Sequence, residues 1–478
     1  MEKKIPLVVD LDGSLVKNDT FLESIIEFIK LDIFNILKIL VYLMHSKAYL
    51  KNEIAKKIII DPKSLIYEKV VLDLIKKEKK NDRKIILCSA SNQKQVDSVS
   101  EYLNIFDKAI GSSKSLNLRG NNKMSYLTSL FNDKGYDYVG NDRSDISVWS
   151  KARKIYTVNT NNRVINSLNK ENVIKLVPRV SMLNKMYHVA KSLRLHQWIK
   201  NILILLPMIL AQQFSLINLK LSLLAFLAFG LTSSIGYIFN DLLDIQSDRL
   251  SPSKKMRPFA ASHLDLKDGI IIMISLSLIS TYIVMNFISN EYLFIVFGYL
   301  FLSMLYTLFV KKIIGLDMVF LTSLYILRVF AGGYVTSIEV SIWLIIFCVF
   351  TFLYLSSIKR ISELKVQKSQ EESGHKISSV RGYLQSDLSI IQQISTSSGL
   401  ISVLVLALYF RSPGVIELYK NPELLILICP IFLFWIIRIS ICTHRGQMHE
   451  DPIIFTLKDP YSIFIGAIVL FIMIFQFV

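Results

Sequence analysis

The sequence is poor in cysteine and in charged residues. Only four cysteines occur in 478 residues, and none are spaced as CxxC, so neither a zinc site nor a disulfide framework is indicated. Charged residues make up 19% of the chain, whereas 52% of it is hydrophobic and the mean hydropathy is +0.43. This composition excludes a disordered chain and argues against a purely soluble enzyme.

The polar residues lie mainly at one end of the chain. Up to about Arg179 the sequence is polar and rich in lysine, and beyond Trp198 it consists largely of runs of Ile, Leu, Phe and Val. We therefore expect a soluble domain at residues 1–180 fused to a membrane domain at residues 181–478.

The first 165 residues have the pattern of an α/β domain. Short runs rich in Ile, Val and Leu, each bounded by polar turn residues, are typical of buried parallel strands. These runs are Ile5–Asp10, Lys84–Ser89, Tyr136–Gly140 and Lys154–Asn159. Between the first two we expect a helical insert at about residues 20–80, whose apolar stretch Phe21–Met44 either forms a cap or lies on a membrane surface. The Asn-rich segment Asn159–Asn172 is interpreted as a linker.

Apolar segments long enough to cross a bilayer, which takes roughly 20 residues, follow in the second part of the chain. We expect nine, beginning near Ile199, Leu219, Gly269, Tyr292, Leu316, Ile342, Ile391, Leu424 and Tyr461. Basic residues concentrate in alternate loops, so topology explains the net charge of +17 better than nucleic-acid binding does. The positive-inside rule predicts a multi-pass protein of the cell (plasma or inner) membrane, with the N-terminal domain cytoplasmic and the C-terminus outside. The oligomeric state is left open, a homo-oligomer included.

Two carboxylates follow the first predicted strand, in the stretch Val8-Val9-Asp10-Leu11-Asp12-Gly13. At the carboxyl edge of a sheet, one carboxylate can attack phosphorus while the other exchanges a proton with the leaving oxygen. Polar residues at or after the other predicted elements extend this set, namely Ser89, Lys123, Asp142 and Asp145. The alternative is a plain turn after a strand.

This pattern resembles the haloacid dehalogenase-like phosphatase superfamily, whose four motifs occur in this order and on these elements. The resemblance implies a Rossmann-like α/β fold with the helical insert as a substrate-selecting cap. It also implies roles for the polar residues: Asp10 as the aspartyl-phosphate nucleophile, Asp12 as general acid/base, and Ser89 and Lys123 at the phosphoryl group. The implied ligands of a Mg²⁺ ion are Asp10, Asp12, Asp142 and Asp145. Relatives often have Gly-Asp where this chain has Gly140-Asn141, so an inactive phosphatase domain remains an alternative.

A second set of carboxylates stands at the inner end of the second apolar segment, in Asn240-Asp241-Leu-Leu-Asp244-Ile-Gln-Ser-Asp248. On one α-helix the three aspartates fall within about 60° of one another. Such a stripe is costly to desolvate beside a bilayer, and no lysine at i+4 spacing compensates it. We therefore expect these aspartates to hold a Mg²⁺ ion that phosphate oxygens complete, with Lys254 and Arg257 binding the phosphates. A polar helix end at the interface is the alternative.

This arrangement resembles the UbiA family of membrane transferases, which bind a Mg²⁺–diphosphate with an NDxxDxxxD motif and a later Arg-Pro, here Arg257-Pro258. The resemblance extends from about Arg194 to the end of the chain, and the count of nine segments agrees with it. Finer features are similar to the polyprenyl-phosphate phosphoribosyltransferase branch. They are the motifs Arg194-Leu-His196-Gln197-Trp198-Ile-Lys200-Asn201, Asp248-Arg249, Ser251 through Pro258, Tyr306 through Lys311 to Asp317, Arg328 with Ala331-Gly332-Gly333, Lys359-Arg360-Ile-Ser-Glu363-Leu364 and Glu450-Asp451-Pro452.

The resemblance also implies a substrate site rich in basic residues. Prenyltransferases of the family usually have a second aspartate-rich motif where this chain has Lys359, Arg360 and Glu363, and basic residues suit an additional phosphate better than a second metal. The expected substrate-binding residues are Asn240, Lys254, Arg257, Lys311, Arg328, Lys359, Arg360, Arg194 and Lys200. Lys311 is equally well explained as a positive-inside residue.

Arg328 lies in the middle of an apolar segment, where a charge costs about 2.5–3.5 kcal/mol on insertion scales. We expect it to hold a phosphate of the lipid or of the donor. The alternative is a structural ion pair with Asp317, three turns earlier.

Together the two resemblances imply a bifunctional membrane enzyme that takes phosphoribosyl diphosphate and polyprenyl phosphate, with Mg²⁺ in both domains. Phosphoribose would pass to the lipid phosphate with release of diphosphate, and the N-terminal domain would then remove the 5-phosphate. An aromatic prenyltransferase, a transferase with an inactive phosphatase domain and a transporter stay as alternatives. A transporter, however, gives no reason for an acidic stripe followed by Arg257-Pro258.

Overall fold

The structure, a computed structural model, divides the chain into two units. It describes residues 5–168, 172–372, 382–448 and 451–476. The α/β unit comprises Met1–Ser192 and Phe239–Ile271, and the helical unit comprises Leu193–Ile238 and Ile272–Val478. The expected boundary near residue 180 stays a prediction, and the segment with the three aspartates groups with the α/β unit.

A six-stranded parallel sheet forms the centre of the α/β unit. Its strands are β1 (Leu7–Val9), β2 (Ile85–Asn92), β3 (Lys108–Ser112), β4 (Asp137–Gly140), β5 (Ile155–Val158) and β6 (Val173–Val177). Their order is β3-β2-β1-β4-β5-β6. The four predicted strands are confirmed. Because β6 pairs with β5, the interpretation of Asn159–Asn172 as a linker is wrong: the chain there leads into the last strand of the sheet.

The register of the central strands places Asp10 at the middle of the sheet edge. Val9 pairs with Leu87 of β2 on one side and with Val139 of β4 on the other. The Asp10 amide continues this ladder and donates to the Val139 carbonyl at 3.0 Å. Polar residues at the ends of β1, β2 and β4 therefore meet at one edge.

The expected insert between β1 and β2 is helical. The helices of this unit are α1 (Thr20–Leu31), α2 (Asn35–His45), α3 (Lys47–Ala55), α4 (Lys69–Lys80), α5 (Gln93–Leu103), α6 (Asn121–Phe131), α7 (Ile146–Lys151), α8 (Asn162–Asn166) and α9 (Met182–Ser192). The apolar stretch Phe21–Met44 forms α1 and α2. Within the insert, helix α2 packs against α1 and α3 through Ile39 and Tyr42. Most of the other apolar side chains of α2 are exposed.

Twelve further helices follow, several with bends or 3₁₀ turns. They are α10 (Leu206–Leu210), α11 (Leu216–Leu243), α12 (Ile245–Leu250), α13 (Leu266–Phe287), α14 (Tyr292–Leu308), α15 (Leu316–Thr336), α16 (Ile342–Glu372), α17 (Leu388–Phe410), α18 (Pro413–Leu418), α19 (Ile428–His444), α20 (Pro452–Lys458) and α21 (Pro460–Ile474). A 3₁₀ helix, Leu195–Ile204, precedes α10.

Within the described part of the chain, eight helical segments are long and apolar enough to cross a membrane. They are Met182–Leu210, Leu216–Leu243, Leu266–Phe287, Tyr292–Lys312, Leu316–Thr336, Ile342–Ser369, Gln385–Phe410 and Pro422–His444. The expected ninth corresponds to α20 and α21, which are bent by 83° at the break between them. The chain is thus a multi-pass membrane protein, and its orientation stays a prediction.

Candidate functional site

Asp10 and Lys123 form the centre of a buried polar chain at the edge of the sheet. The Lys123 Nζ atom donates to Asp10 Oδ1 at 2.7 Å and to Tyr138 Oη at 2.9 Å. Tyr138 in turn donates to Asp145 Oδ1 at 2.9 Å. The predicted nucleophile, the predicted phosphate-binding lysine and one predicted metal ligand are therefore brought together.

Asp12 is held by donors from two other elements. Its Oδ1 atom accepts from the Thr20 amide at 2.8 Å and the Thr20 hydroxyl at 2.7 Å, at the start of α1. Its Oδ2 atom accepts from Ser91 at 2.5 Å and from Ser89 at 3.4 Å. The sequence reasoning missed Thr20 and Ser91. Ser91 could have been found, since it lies two residues after Ser89 on a strand and so shares its face.

The electrostatics of the Asp10 site reflect its burial. Burial raises the pKa of Asp10 to about 7, although the Lys123 ammonium lowers it. Burial alone would lower the pKa of Lys123, but the carboxylates of Asp10 and Asp145 outweigh this and raise it. Strongly displaced pKa values of this kind cluster at functional sites.

Asp142 and Asp145 take different positions after β4. Asp145 is buried, and its Oδ2 atom accepts from the Asn141 amide at 3.0 Å and the Asp142 amide at 3.1 Å. Asp142 is exposed and caps the Arg143 amide at 2.6 Å. No group of three or more acidic, His or Cys side chains in the described ranges has the geometry of a metal site. The Lys123 ammonium contacts Asp10 and lies 4.0 Å from Asp145. The predicted Mg²⁺ site of this domain stays a prediction, and we derive no step through it.

The segment of the second set of carboxylates differs from the predicted single helix. Helix α11 ends at Leu243, and Asp244 has φ −97° and ψ 10°, so a new helix, α12, begins after it. The prediction of one continuous helix is therefore wrong. The Asp248 amide donates to the Asp244 carbonyl at 2.8 Å, so Asp244 is the N-cap residue of α12.

Two of the three aspartates converge on one cation. The Arg257 Nη1 atom contacts Asp241 Oδ1 at 3.1 Å and Asp248 Oδ2 at 2.6 Å. Both carboxylates are buried, and burial raises the pKa of Asp248 while Arg257 lowers it. Asp244 is half-buried. Mg²⁺ is usually bound through one or two carboxylates plus phosphate oxygens, so Asp241 and Asp248 are the residues of this segment that could hold such an ion.

The other candidates of this segment lie next to the carboxylates. The Asn240 carbonyl accepts from the Asp244 amide at 2.9 Å, and Asn240 and Lys254 are both half-buried. Lys254 belongs to the turn after α12, where its amide donates to the Ser251 carbonyl at 3.1 Å. Both residues therefore belong to the same short stretch as Arg257.

In the helical unit, Arg328 is buried among uncharged partners. It donates to Asn201 Oδ1 at 2.8 Å, to the Leu324 carbonyl at 2.5 Å and to Tyr299 Oη at 2.6 Å. The Asn201 Nδ2 atom is buried and has no hydrogen-bond partner among the described residues. A Cβ on Gly332 would lie 2.0 Å from the Ile204 carbonyl, so only glycine lets α15 approach the 3₁₀ helix that carries Asn201.

Arg360 has acidic partners instead. Its Nε atom contacts Asp317 Oδ2 at 2.5 Å, and its Nη1 atom contacts Glu363. Tyr383 also donates to Asp317. The alternative that Asp317 pairs with Arg328 is therefore wrong, because Asp317 is taken by Arg360.

Lys200 and Lys359 share one carboxylate. Asp451 Oδ2 lies 2.7 Å from the Lys200 Nζ atom and 3.4 Å from the Lys359 Nζ atom. Burial would raise the pKa of Asp451, but the two ammonium groups outweigh it and hold that pKa far below its usual range. The sequence predicted no role for Asp451 beyond its place in the motif Glu450-Asp451-Pro452. Glu450 lies outside the described residues.

Arg194, Lys311 and Trp198 are further residues of the predicted motifs. The Arg194 guanidinium stands over the Tyr237 ring, 5.6 Å from its centroid, and Lys311 belongs to the 3₁₀ turn Val310–Lys312. Trp198 donates to Ser234 Oγ at 3.0 Å.

Comparison with known proteins shows similarity to one protein family and to several individual proteins. Residues 201–455, more than half of the chain, match the UbiA prenyltransferase family. The uncharacterized protein y4nM of Sinorhizobium fredii is 30% identical over 98% of this chain and 90% of its own length. The nodulation protein NoeC of Azorhizobium caulinodans is 31% identical over 57% of this chain and 88% of its own length.

A decaprenyl-phosphate phosphoribosyltransferase is a more partial match. The enzyme of Corynebacterium glutamicum is 30% identical over 44% of this chain and 64% of its own length. Among solved structures, a UbiA homolog from Archaeoglobus fulgidus bound to DMAPP and Mg²⁺ matches 60% of this chain and 98% of its own, with 14% identity and a TM-score of 0.44.

Proposed function

The chain belongs to the UbiA prenyltransferase family, and we propose that it is a membrane transferase that moves 5-phosphoribose from phosphoribosyl diphosphate to a polyprenyl phosphate. Diphosphate is released in this step. The N-terminal domain then removes the 5-phosphate and leaves polyprenyl-phosphoryl ribose. The partial similarity to decaprenyl-phosphate phosphoribosyltransferases supports the choice of donor.

The observation that carries the proposal is the convergence of Asp241 and Asp248 on one Arg257 nitrogen. Two buried carboxylates aimed at one cation position, with Asp244 beside them, are the ligands that a Mg²⁺–diphosphate needs. Such an ion would stabilise the charge of the departing diphosphate as a Lewis acid. Arg257, together with Lys254 and Asn240, would contact the phosphate oxygens and orient the donor.

Arg328 and Asn201 are proposed to bind the phosphate of the acceptor lipid. A buried guanidinium that bonds only to neutral groups keeps its positive charge for an anion, and the Asn201 amide offers one more donor. The acceptor oxygen is already an anion, so the reaction needs no strong general base.

The basic residues of the helical unit support phosphoribosyl over prenyl transfer. Among the described residues, Lys200 and Lys359 share one carboxylate, that of Asp451, so two positive charges meet one negative charge there. A donor with a 5-phosphate besides its diphosphate uses that excess, whereas a prenyl diphosphate has no second anionic group. The family's description favours prenyl transfer, which is the reaction type of the second candidate, an aromatic prenyltransferase.

The Asp10 site supports phosphate removal. We propose that Asp10 attacks the 5-phosphorus and forms an aspartyl phosphate, and that Asp12 gives a proton to the ribose oxygen as it leaves. Ser89 and Lys123 are positioned beside these carboxylates to bind the phosphoryl oxygens. Water then hydrolyses the aspartyl phosphate with Asp12 as the base. The predicted Mg²⁺ ion with Asp142 and Asp145 stays a prediction in this domain.

The test supplies membranes with labelled phosphoribosyl diphosphate, polyprenyl phosphate and Mg²⁺ and follows label that extracts into lipid. We expect Asp244→Asn to make at least about 100-fold less labelled lipid, because leaving-group stabilisation is worth several kcal/mol. We expect Asp10→Asn to accumulate the lipid that still carries the 5-phosphate. If Asp10→Asn releases inorganic phosphate as the unaltered chain does, the phosphatase domain is inactive or acts elsewhere.

A further inference from the structure

A buried ion pair joins the insert of the α/β unit to the segment with the three aspartates. The Arg249 Nη2 atom lies 2.6 Å from Glu23 Oε1, and its Nη1 atom lies 2.9 Å from Glu23 Oε2. The two side chains are 4% and 2% exposed, respectively. A bidentate Arg–carboxylate pair of this kind fixes geometry as well as charge.

Glu23 accepts four hydrogen bonds and Arg249 donates four, including the two of their own pair. Glu23 also accepts from Asn18 Nδ2 at 2.8 Å and from Gln246 Nε2 at 2.5 Å. Arg249 also donates to the Ala260 carbonyl at 3.2 Å and to the Ser64 carbonyl at 3.3 Å. The pair therefore ties the insert to both ends of the stretch from Gln246 to Ala260.

Helix α12, which carries Asp248, depends on these contacts. It has only six residues, and a helix of this length is not stable without tertiary contacts. Gln246 and Arg249 hold it from the side of the insert, whereas Asp248 contacts Arg257. The helix that carries Asp248 is thus contacted by the insert through two neighbouring residues, Gln246 and Arg249.

We propose that Glu23 and Arg249 are positioning residues for the diphosphate site. They hold α12 so that Asp248 and Asp241 converge on one cation position, and neither residue contacts the substrate. The proposal rests on the function proposed above for Asp241 and Asp248. It gives the N-terminal domain a role in group transfer that is separate from the chemistry of Asp10.

The experiment compares Glu23→Ala, Arg249→Ala and the double variant in the full-length protein. Half-saturating concentrations of phosphoribosyl diphosphate and Mg²⁺ are measured for lipid labelling, together with kcat at saturation. We expect a rise of about 10- to 100-fold in the half-saturating concentrations, with kcat within about threefold of the unaltered chain, because a misplaced ligand weakens donor binding. The half-saturating concentrations of the double variant should rise no further than those of the more affected single variant, because each single substitution already removes the same interaction.

Glu53→Ala is the matched control, because Glu53 forms an exposed pair with Lys56 at 2.6 Å in the same insert. It is expected to leave every parameter unchanged. If the alanine variants are not recovered in folded form, Arg249→Lys replaces them, because it keeps the charge but loses the bidentate geometry. We expect a smaller rise in the half-saturating concentrations for this variant. Unchanged half-saturating concentrations in folded Glu23 and Arg249 variants overturn the proposal.

Hydrogen exchange separates this proposal from the proposed function, because it needs no substrate. We expect the backbone amides of residues 245–250 to exchange faster in Glu23→Ala than in the unaltered chain or Glu53→Ala. If exchange accelerates but the unaltered chain transfers no phosphoribose, the proposed function fails while the positioning role stands. If the unaltered chain transfers phosphoribose and neither exchange nor donor binding changes in Glu23→Ala, the positioning role alone fails.

Discussion

Arg328 and Arg360 are two buried arginines of the helical unit, and they have opposite kinds of partner. Arg360 is 1% exposed and contacts two carboxylates, those of Asp317 and Glu363. Arg328 is 3% exposed and bonds to an amide oxygen, a backbone carbonyl and a tyrosine hydroxyl. In the described ranges no carboxylate contacts Arg328.

The difference separates a structural charge from a charge that is available to a ligand. A buried cation with an anionic partner is compensated, so the contacts of Arg360 favour a structural role over the predicted role in substrate binding. A buried cation with neutral partners remains a positive centre in a low-dielectric surrounding and attracts an anion. Arg328 is therefore the better candidate for binding a lipid phosphate.

The largest effect is expected when Arg360 is removed. Arg360→Met leaves the buried Asp317 carboxylate without its cation, and breaking a buried pair in this way costs about 3–5 kcal/mol. We expect a markedly lower melting temperature and poor recovery in detergent. Arg360→Met combined with Asp317→Asn should recover part of the loss. A stable Arg360→Met protein that only binds substrate weakly would reverse the assignment.

Removing Arg328 is expected to reduce activity more than stability. Arg328→Gln leaves no carboxylate unpaired, so the melting temperature should change much less than in Arg360→Met. A hydrogen bond to a charged group is worth about 1.5–3 kcal/mol, so the half-saturating concentration of polyprenyl phosphate should rise roughly 10- to 100-fold. Unchanged lipid binding in a folded Arg328→Gln protein would contradict the account.

Lys123 of the α/β unit is a third buried cation and, like Arg360, it has a carboxylate partner, Asp10. Burial raises the pKa of Asp10 to about 7 and Lys123 lowers it, so removing the ammonium raises this pKa further. The nucleophile must be ionised, and the acidic limb of dephosphorylation should therefore move to higher pH in Lys123→Met, by about one to three units. The measurement is phosphate release against pH, and a limb that stays in place or moves to lower pH is the opposing result.

The smallest effect is expected for Asn201, whose Oδ1 atom accepts from Arg328 and whose Nδ2 atom is the proposed donor to the lipid phosphate. Asn201→Asp supplies Arg328 with a carboxylate and so converts it into a compensated arginine like Arg360. We expect lipid binding to weaken by about threefold to tenfold from the lost donor alone, and further from the added negative charge. Tighter lipid binding in Asn201→Asp would show that Arg328 does not act through its charge.

The sequence was sufficient for the elements whose residues are uniformly apolar. Strands β1, β2, β4 and β5 lie inside the sheet and appear as apolar runs. Strands β3 and β6 were missed because they are the edges, where Lys108 and Lys175 are exposed and interrupt the pattern. Edge strands pair on one side only and need not be apolar throughout.

The candidate sites were predictable as sets of residues but not as contacts. The aspartates of the second set were identified from their spacing, although the helix is interrupted at Asp244. Partners that depend on packing between distant helices were not accessible: Asp317 lies closer in sequence to Arg328 than to Arg360, yet it pairs with Arg360. Glu23 gave no signal in the sequence either, because its partner Arg249 lies more than 200 residues away.

The central claim, that the transferred group is phosphoribose, is tested most directly by comparing two donor substrates. Purified protein with polyprenyl phosphate and Mg²⁺ is given either labelled phosphoribosyl diphosphate or a labelled prenyl diphosphate with an aromatic acceptor. The account predicts that label from phosphoribosyl diphosphate enters the lipid in the unaltered chain, not in Asp244→Asn, and that the prenyl diphosphate is not consumed. Consumption of the prenyl diphosphate, without any transfer from phosphoribosyl diphosphate, would contradict it.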